Sequence, residues 1–148
     1  MIVEGNLEAV VTEDCVLTAA TGSVPAKCAG KTGTFRGIRD EKGRIFPVRQ
    51  DGSCRTHIQN AVETCLIDHL PRIASMGIGT IAIDLRGRTA LYAETMIGLY
   101  SEALKRLSAG ETEDIESLKA RARGISLGGI TAGHFLRGVQ RNDNAKSY

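Results

Sequence analysis

This sequence lacks tryptophan and has few aromatic residues of any kind, with three tyrosines and three phenylalanines in 148 residues. It also lacks a charge excess, because 19 basic side chains nearly balance 17 acidic ones. The small net charge is not the footprint of a nucleic-acid-binding protein, although it does not exclude RNA binding. A chain of this length predicts a single domain, residues 1–148, with a mainly aliphatic core.

Long hydrophobic runs and a targeting signal are also missing. No apolar stretch approaches the roughly 20 residues that span a bilayer, so no membrane span is expected. The N-terminal stretch "MIVEGNLEAVV" has two glutamates and no basic segment, unlike a secretory signal peptide. We therefore expect a cytoplasmic protein, in which cysteine thiols stay reduced.

Strand signals are short and lie in both halves of the chain. β-branched runs predict strands at Leu7–Thr12 and Thr80–Asp84, and a β-hairpin is expected around a turn at Asp40–Gly43. Pro47 cannot donate an amide hydrogen to a ladder, so its strand should lie at a sheet edge. Residues 18–34, rich in glycine, threonine, serine and alanine, predict a loop.

Three helices are expected. Pro71 and Gly77 punctuate a short first helix, and Thr112–Arg123 predicts a last helix that Gly124 ends. Thr89 should cap the long helix between them, whose apolar stripe is Ala93, Met96, Ile97, Tyr100, Ala103, Leu104 and Leu107. The order of elements predicts an α/β fold: a parallel sheet with flanking helices and a β-hairpin insertion.

The four cysteines, Cys15, Cys28, Cys54 and Cys65, have the irregular spacings C-x12-C, C-x25-C and C-x10-C. A zinc ribbon would show C-x-x-C pairs, which this chain lacks, although Cys54 and His57 could form a mixed zinc pair. Irregular spacing is compatible with an iron–sulfur cluster, whose thiolates come from separate loops. Four separate, buried thiols are the remaining interpretation. The spacing alone leaves all three open.

Several stretches together point to a known family. "VVTEDCVL", "GIRDEKGRIFPVRQDGSCRTHIQNAVETCLIDHLPRI", "IAIDLRGRTALYAETMIGLYSEAL" and "GGITAGHFLRG" occur in this order. They resemble the later half of the collagenase-like proteases, family thirty-two of the peptidases of unassigned mechanism. The resemblance runs from about Leu7 to Gly138. It implies that the single domain is similar to the C-terminal half of that family's catalytic domain.

The resemblance also implies a cofactor and a partner. In characterised relatives, the cysteine at the position of Cys65 ligates a 4Fe-4S cluster. The other ligands come from upstream loops, which Cys15, Cys28 and Cys54 could supply here, with zinc as the alternative metal. Relatives are barrel-like α/β proteins, so this chain should form a partial barrel. Another polypeptide, or a second copy in a homo-oligomer, should complete it.

The function implied by the resemblance is redox chemistry. Better understood relatives support oxygen-independent hydroxylation of tRNA, of ribosomal RNA or of the ubiquinone ring, so RNA is one expected partner. Proteolysis is the alternative that the family name gives, although the chain has no H-E-x-x-H pattern. A metal-stabilised interaction subunit without catalysis is the third possibility.

Three further residues are candidate catalytic groups: Asp84, Arg88 and His134. Asp84, Arg86 and Arg88 lie at the carboxyl end of the strand predicted at Thr80–Asp84, where α/β barrels place their active sites, but a helix-capping salt bridge is equally expected. His134 ends the glycine-rich stretch "GGITAGH", which is either an anion-binding nest or a plain turn. Its imidazole is either a base or a surface group, whereas His57 and His69 are expected to be structural.

Overall fold

The computed structural model describes residues 1–21, 36–53, 55–111 and 115–137. Eight strands are described: β1 (Ile2–Gly5), β2 (Glu8–Thr12), β3 (Arg36–Arg39), β4 (Ile45–Gln50), β5 (Thr56–Gln59), β6 (Glu63–Cys65), β7 (Ala82–Ile83) and β8 (Ile130–Thr131). The helices of the same residues are α1 (Val16–Thr21), α2 (Leu70–Ser75), α3 (Ala90–Ser108), α4 (Ile115–Ile125) and α5 (Gly133–Arg137). A 3-10 turn, Ile67–His69, precedes α2.

Sheet A has the strand order β7-β1-β6-β8 and is flanked by helices. β7 pairs parallel to β1, and β8 pairs parallel to β6. The α/β class and the parallel pairing are therefore confirmed, and the described residues form no closed barrel. The central pair, β1 with β6, is antiparallel, so the sheet is mixed and not wholly parallel as predicted.

Sheet B is antiparallel throughout and has the order β2-β5-β4-β3. It contains the predicted hairpin, β3 and β4, with Gly43 at a φ of 77° in the turn. The edge position expected for Pro47 is wrong, because β4 is paired on both sides. Pro47 lies opposite Gly37 of β3, and the ladder with β5 begins only at Val48. The missing amide hydrogen is therefore tolerated inside the sheet.

The two sheets share one bent, two-stranded ribbon, because β1 leads directly into β2 and β5 leads directly into β6. At the bend, the Asn60 amide donates to the Leu7 carbonyl at 2.8 Å, and Asn6 Nδ2 donates to the Asn60 carbonyl at 2.8 Å. Gly5 precedes the bend with a φ of 122°, and a Cβ there would lie 2.3 Å from the Asp84 carbonyl oxygen. Only glycine fits this position.

The hydrophobic core packs between sheet A and the helices. Its buried members come from β1, β6, the 3-10 turn, α2, α3 and α4. In the part of the chain that the structure describes, no strand residue of sheet B belongs to this cluster. The few aromatic side chains include two core tyrosines, Tyr92 and Tyr100, so the rest of the core is mainly aliphatic as expected.

Helix α3 begins as predicted, since the Thr89 hydroxyl accepts from the Tyr92 amide at 3.2 Å. The predicted stripe is partly wrong, because Ile97 and Leu104 are 49% and 43% exposed. The helix is turned so that its two tyrosine hydroxyls reach polar groups of sheet A. The buried positions of the helix are Tyr92, Met96, Leu99, Tyr100 and Ala103.

Other boundaries differ at the ends of elements. Helix α1 occupies the start of the predicted loop at residues 18–34, and residues 22–35 lie outside the described part. Helix α4 runs through Gly124 to Ile125, so this glycine does not end it. β1, β6 and β8 were not predicted, because runs of two to four residues carry no periodicity. None of the described helices is long and apolar enough to cross a membrane.

Candidate functional site

Two carboxylates are fully buried on one face of sheet A. Glu4 of β1 lies opposite Cys65 of β6, and Glu63 lies two residues before Cys65 on the same strand. Because strand side chains alternate between faces, Glu4, Glu63 and Cys65 point to the same side. Both glutamates are 0% exposed. No pattern in the sequence indicates this pair, since isolated glutamates are usually solvated.

Glu63 is paired with a cation and has further donors. Its carboxylate accepts from the Arg88 guanidinium, from the Tyr92 hydroxyl and, at 3.1 Å, from the Leu127 amide. The Arg88 guanidinium also lies over the Tyr92 ring, 3.9 Å from its centroid. Such a pair is stable in the core because its remaining hydrogen-bonding positions are filled.

Glu4 contacts no such cation among the residues that the structure describes. Its carboxyl lies 3.0 Å from the Tyr100 hydroxyl and 3.5 Å from the Tyr92 hydroxyl. Burial raises the pKa of Glu4 from 4.5 to about 7, and the neighbouring Glu63 carboxylate adds to the increase. Glu4 therefore retains its proton up to nearly neutral pH.

Cys65 is the buried thiol of this acid cluster, which comprises Glu4, Glu63, Cys65, Arg88, Tyr92 and Tyr100. Its Sγ lies 3.7 Å from the Tyr100 hydroxyl, and the residue is 1% exposed. Burial, followed by the charge of Glu4, raises the pKa of the Cys65 thiol to about 12. The side chain is thus a protonated thiol, which is neither a nucleophile nor a good metal ligand in this state.

Cys15 follows β2 and has the opposite environment. Its Sγ accepts from Gln50 Nε2 at 2.6 Å, from the Thr18 hydroxyl at 2.7 Å and from the Thr18 amide at 3.3 Å. Hydrogen bonds donated to sulfur favour the thiolate over the thiol. This sulfur is therefore suited to bind a metal.

The end of sheet B near Cys15 is organised by Thr56, the first residue of β5. The Thr56 hydroxyl donates to the Asp14 carbonyl at 2.7 Å and accepts from the Val16 amide at 3.2 Å. In the next turn, Asp51 accepts from the Ser53 and Arg55 amides at 2.9 and 3.0 Å. Cys54 belongs to this turn in sequence but lies outside the described residues, as does Cys28.

The convergence of four cysteines therefore stays a prediction. Cys15 follows a strand of sheet B, whereas Cys65 lies in sheet A, and seven residues of the shared ribbon lie between Thr12, near Cys15, and Glu4, opposite Cys65. Within the described ranges, no three histidine, cysteine, aspartate or glutamate side chains could hold a metal ion together. On donor chemistry, Cys15 suits a thiolate-bound cluster or zinc, whereas Cys65 would have to lose its proton to serve as a ligand.

Asp84 and its neighbouring arginines engage carboxylates of this chain. Arg86 binds Asp84 through two nitrogens, with Nε 2.9 Å from Oδ1 and a terminal nitrogen 2.6 Å from Oδ2. This guanidinium lowers the pKa of Asp84 below its usual value. Arg88 turns into the acid cluster, with a side chain that is 8% exposed. The geometry thus resembles the salt-bridge alternative more than an open anion site.

The histidines and the glycine-rich stretch have separate surroundings. His57 lies between two carboxylates, with Nδ1 3.0 Å from Glu8 and Nε2 3.2 Å from Asp51. Within the "GGITAGH" stretch, Gly128 and Gly129 have φ values of 77° and 85° at the turn before β8, and Gly133 begins α5. His134 lies in α5, and its side chain is not among those that the structure describes.

Comparison with known proteins agrees with the sequence resemblance. The family model described as peptidase family U32 matches residues 1–145, nearly the whole chain. No match was found among curated proteins, and none among solved structures. The chain therefore belongs to peptidase family U32, the collagenase-like peptidases.

Proposed function

We propose that this chain is an iron–sulfur protein that supports oxygen-independent hydroxylation of an RNA or a small aromatic substrate, together with a partner. The observation that carries the proposal is the set of three donors around Cys15 Sγ. A thiolate-bound 4Fe-4S cluster supplies electron transfer when present. Zinc at the same cysteines is the alternative.

Three of the four predicted ligands belong to chain segments that join sheet B at one end. Cys15 follows β2 at Thr12, and Cys54 belongs to the turn between β4 and β5. Thr12, Thr56 and Gln50 are register partners across those three strands. Cys28 belongs to the segment that leads into β3 at Arg36, which pairs near the same end of β4. This arrangement supports Cys15, Cys28 and Cys54 as ligands.

Cys65 is supported as a ligand by the resemblance alone. Ligation would require the Cys65 thiol to lose its proton beside Glu4, away from the donors that surround Cys15. We therefore assign no step of a reaction to a cluster at Cys65.

The test is metal analysis of anaerobically purified protein and of four single variants, Cys15→Ser, Cys28→Ser, Cys54→Ser and Cys65→Ser. We expect iron and sulfide in the wild type, with visible absorbance from the cluster. Substitution at Cys15, Cys28 or Cys54 should remove the iron, whereas Cys65→Ser should keep it. Loss of iron only in Cys65→Ser, or no iron in any preparation, would refute the proposal. Zinc in place of iron would support the alternative metal.

Peptidase activity is the second candidate, because the chain belongs to a peptidase family. A cysteine peptidase needs a thiolate beside a general base. Cys65 is buried and protonated, and the described donors to Cys15 are an amide and a threonine, neither of which is a base at neutral pH. Gelatin hydrolysis by iron-free protein that disappears in folded Cys15→Ser would favour the peptidase. Iron binding without either activity would favour an interaction subunit.

The partner is proposed at the β7 edge of sheet A. β7 has only two residues, β1 beside it begins at Ile2, and Met1 and Ile2 are 41% and 45% exposed. A second copy or another polypeptide that pairs with this edge would cover them. Light scattering should give a mass above that of one chain, or a higher mass after the physiological partner is added. A monomer under both conditions would argue against a partner at the β7 edge.

A further inference from the structure

A cavity of about 270 Å³ lies at the carboxyl ends of β6 and β8, the parallel strands on one side of sheet A. Cys65 and Thr131 line its strand side. In α/β sheets, ligands bind beyond the carboxyl ends of parallel strands, and this volume is near the lower limit of small-molecule pockets. The cavity therefore has the position and the size for a small metabolite.

One wall of the cavity is basic. Lys119 and Arg123 are four residues apart on α4, so they lie on the same face of that helix. Lys119 Nζ lies 2.7 Å from Asp68 Oδ2 and 3.6 Å from Glu116 Oε2. The Arg123 side chain makes no ion pair or hydrogen bond within the part of the chain that the structure describes. Its guanidinium is therefore the cation that remains for an anionic ligand.

The facing wall contains an unused acceptor. Asp68 Oδ1 is buried and has no hydrogen-bond partner among the described residues, while Oδ2 of the same carboxylate binds Lys119. Buried acceptors without a partner are rare in native proteins. His69 beside it packs on Phe135, with ring centroids 5.2 Å apart, which restricts its imidazole. A ligand with a hydrogen-bond donor would satisfy Asp68 Oδ1.

We propose that this cavity binds a small oxyanion, a carboxylate or a phosphate ester, that carries a neighbouring hydroxyl group. Arg123 and Lys119 bind the anionic group, and Asp68 Oδ1 accepts from the hydroxyl. The planar guanidinium of Arg123 suits the two oxygens of either anion. A buried acceptor favours a small molecule over the backbone of an RNA. The proposal does not depend on the iron–sulfur cluster.

The test is isothermal titration calorimetry with L-malate and glycerol 3-phosphate, with succinate and glycerol as matched ligands. Succinate lacks the hydroxyl of malate, and glycerol lacks the phosphate. We expect malate or glycerol 3-phosphate to bind, and the one that binds identifies the anion. The matched ligand should bind about tenfold more weakly or not at all.

The matched protein variants are Arg123→Gln and Arg121→Gln. Arg121 is on the same helix but lies near Glu102, 3.4 Å away, and does not line the cavity. We expect Arg123→Gln to weaken binding by about tenfold or more and Arg121→Gln to have no effect. An unchanged thermal midpoint establishes that Arg123→Gln is folded, and Lys119→Gln provides a second test of the same wall.

Three results would overturn the proposal. The first is that neither malate nor glycerol 3-phosphate binds. The second is that succinate binds as tightly as malate, where malate is the ligand. The third is that Arg121→Gln weakens binding as much as Arg123→Gln, which would indicate a diffuse basic surface. If a single-stranded RNA binds tightly and displaces the small anion, the basic wall is a binding surface for a macromolecule, and the proposal is also overturned.

Discussion

Sheet A and sheet B share one ribbon but are stabilised in different ways. The apolar cluster packs on sheet A, where Val3, Leu66 and Tyr100 are at most 1% exposed. In sheet B several apolar side chains are about half open to solvent, and its most buried members include polar residues. The exposed ones are Val10, Val11, Ile38 and Ile45, and the buried polar ones are Thr56, His57 and Gln59.

The ionic contacts differ in the same way. The Glu63–Arg88 pair lies inside sheet A, with side chains 0% and 8% exposed. The Asp51–Arg55 pair at the end of sheet B is open to solvent, with an arginine that is 51% exposed. Buried pairs are sensitive to the loss of one partner, whereas exposed pairs contribute little. Sheet A is therefore the stable part, and a bound group would add most to the order of sheet B.

The largest effect is expected for Glu63→Ala. The variant leaves the Arg88 guanidinium buried without its carboxylate, which costs about 3–5 kcal/mol of unfolding free energy. Urea unfolding followed by circular dichroism measures it. The control is Arg121→Ala, which breaks an exposed pair with Glu102 and should cost under about 1 kcal/mol. Equal losses would mean that burial does not distinguish the two pairs.

Helix α3 offers a comparison between adjacent residues. Met96 is 0% exposed, so Met96→Ala should cost about 2–5 kcal/mol through the cavity it leaves. Ile97 faces solvent, so Ile97→Ala should cost under about 1 kcal/mol. Both are measured by thermal and urea unfolding. A greater loss of stability in Ile97→Ala than in Met96→Ala would mean that Ile97 is buried, as the predicted apolar stripe requires.

The acid cluster gives sheet A a dependence on pH. Burial raises the pKa of Glu4 from 4.5 to about 7, so between these values the folded chain holds a proton that the unfolded chain has released. The contribution of Glu4 to the free energy of unfolding is therefore most favourable below pH 4.5. This contribution falls by roughly 3 kcal/mol as pH rises through about 7.

Metal-free protein and its Glu4→Gln variant test this dependence by urea unfolding between pH 5 and 8. The wild type should lose stability relative to Glu4→Gln as pH rises, because the amide does not titrate. Glu116→Gln is the control, since this glutamate is 73% exposed and should leave the slope unchanged. Parallel curves for wild type and Glu4→Gln would contradict the raised pKa.

The smallest effect comes from a pair of valines. Val3→Ala in β1 removes two buried methyl groups and should cost about 2 kcal/mol. Val11→Ala in β2 changes a side chain that is 52% exposed and should cost about 0.5 kcal/mol or less. If Val11→Ala lowers the free energy of unfolding more than Val3→Ala, Val11 makes an apolar contact that the comparison of the two sheets does not include.

Features set by local sequence were predictable. The hairpin turn at Gly43 and the Thr89 cap depend on a few neighbouring residues, and both were confirmed. The antiparallel centre of sheet A was not predictable, because β1 and β6 are too short to show a pattern. The rotation of α3 was also missed, since apolar spacing does not reveal that Tyr92 and Tyr100 bury their rings while they bind carboxyl groups.

The candidate site was only partly predictable. The family resemblance grouped Cys15 and Cys65 in one ligand set, but it does not show that Cys15 follows a strand of sheet B while Cys65 lies in sheet A. The acid cluster joins Glu4 and Glu63, which are far apart in the chain and look like ordinary surface glutamates. Arg88 was selected as an anion-binding residue, and its partner is a buried carboxylate of the same chain. Such pairings depend on the tertiary fold and have no local signature.

The central claim is that metal binds at the Cys15 end of sheet B, while the core on sheet A forms without it. Hydrogen exchange of the anaerobic, iron-loaded protein, compared with the same protein after chelation, tests it directly. We expect amides of β2, β4 and β5 to lose protection on chelation, while those of β1, β6 and α3 keep it. Loss of protection at β6 around Cys65, with β2 and β5 unchanged, would contradict the account.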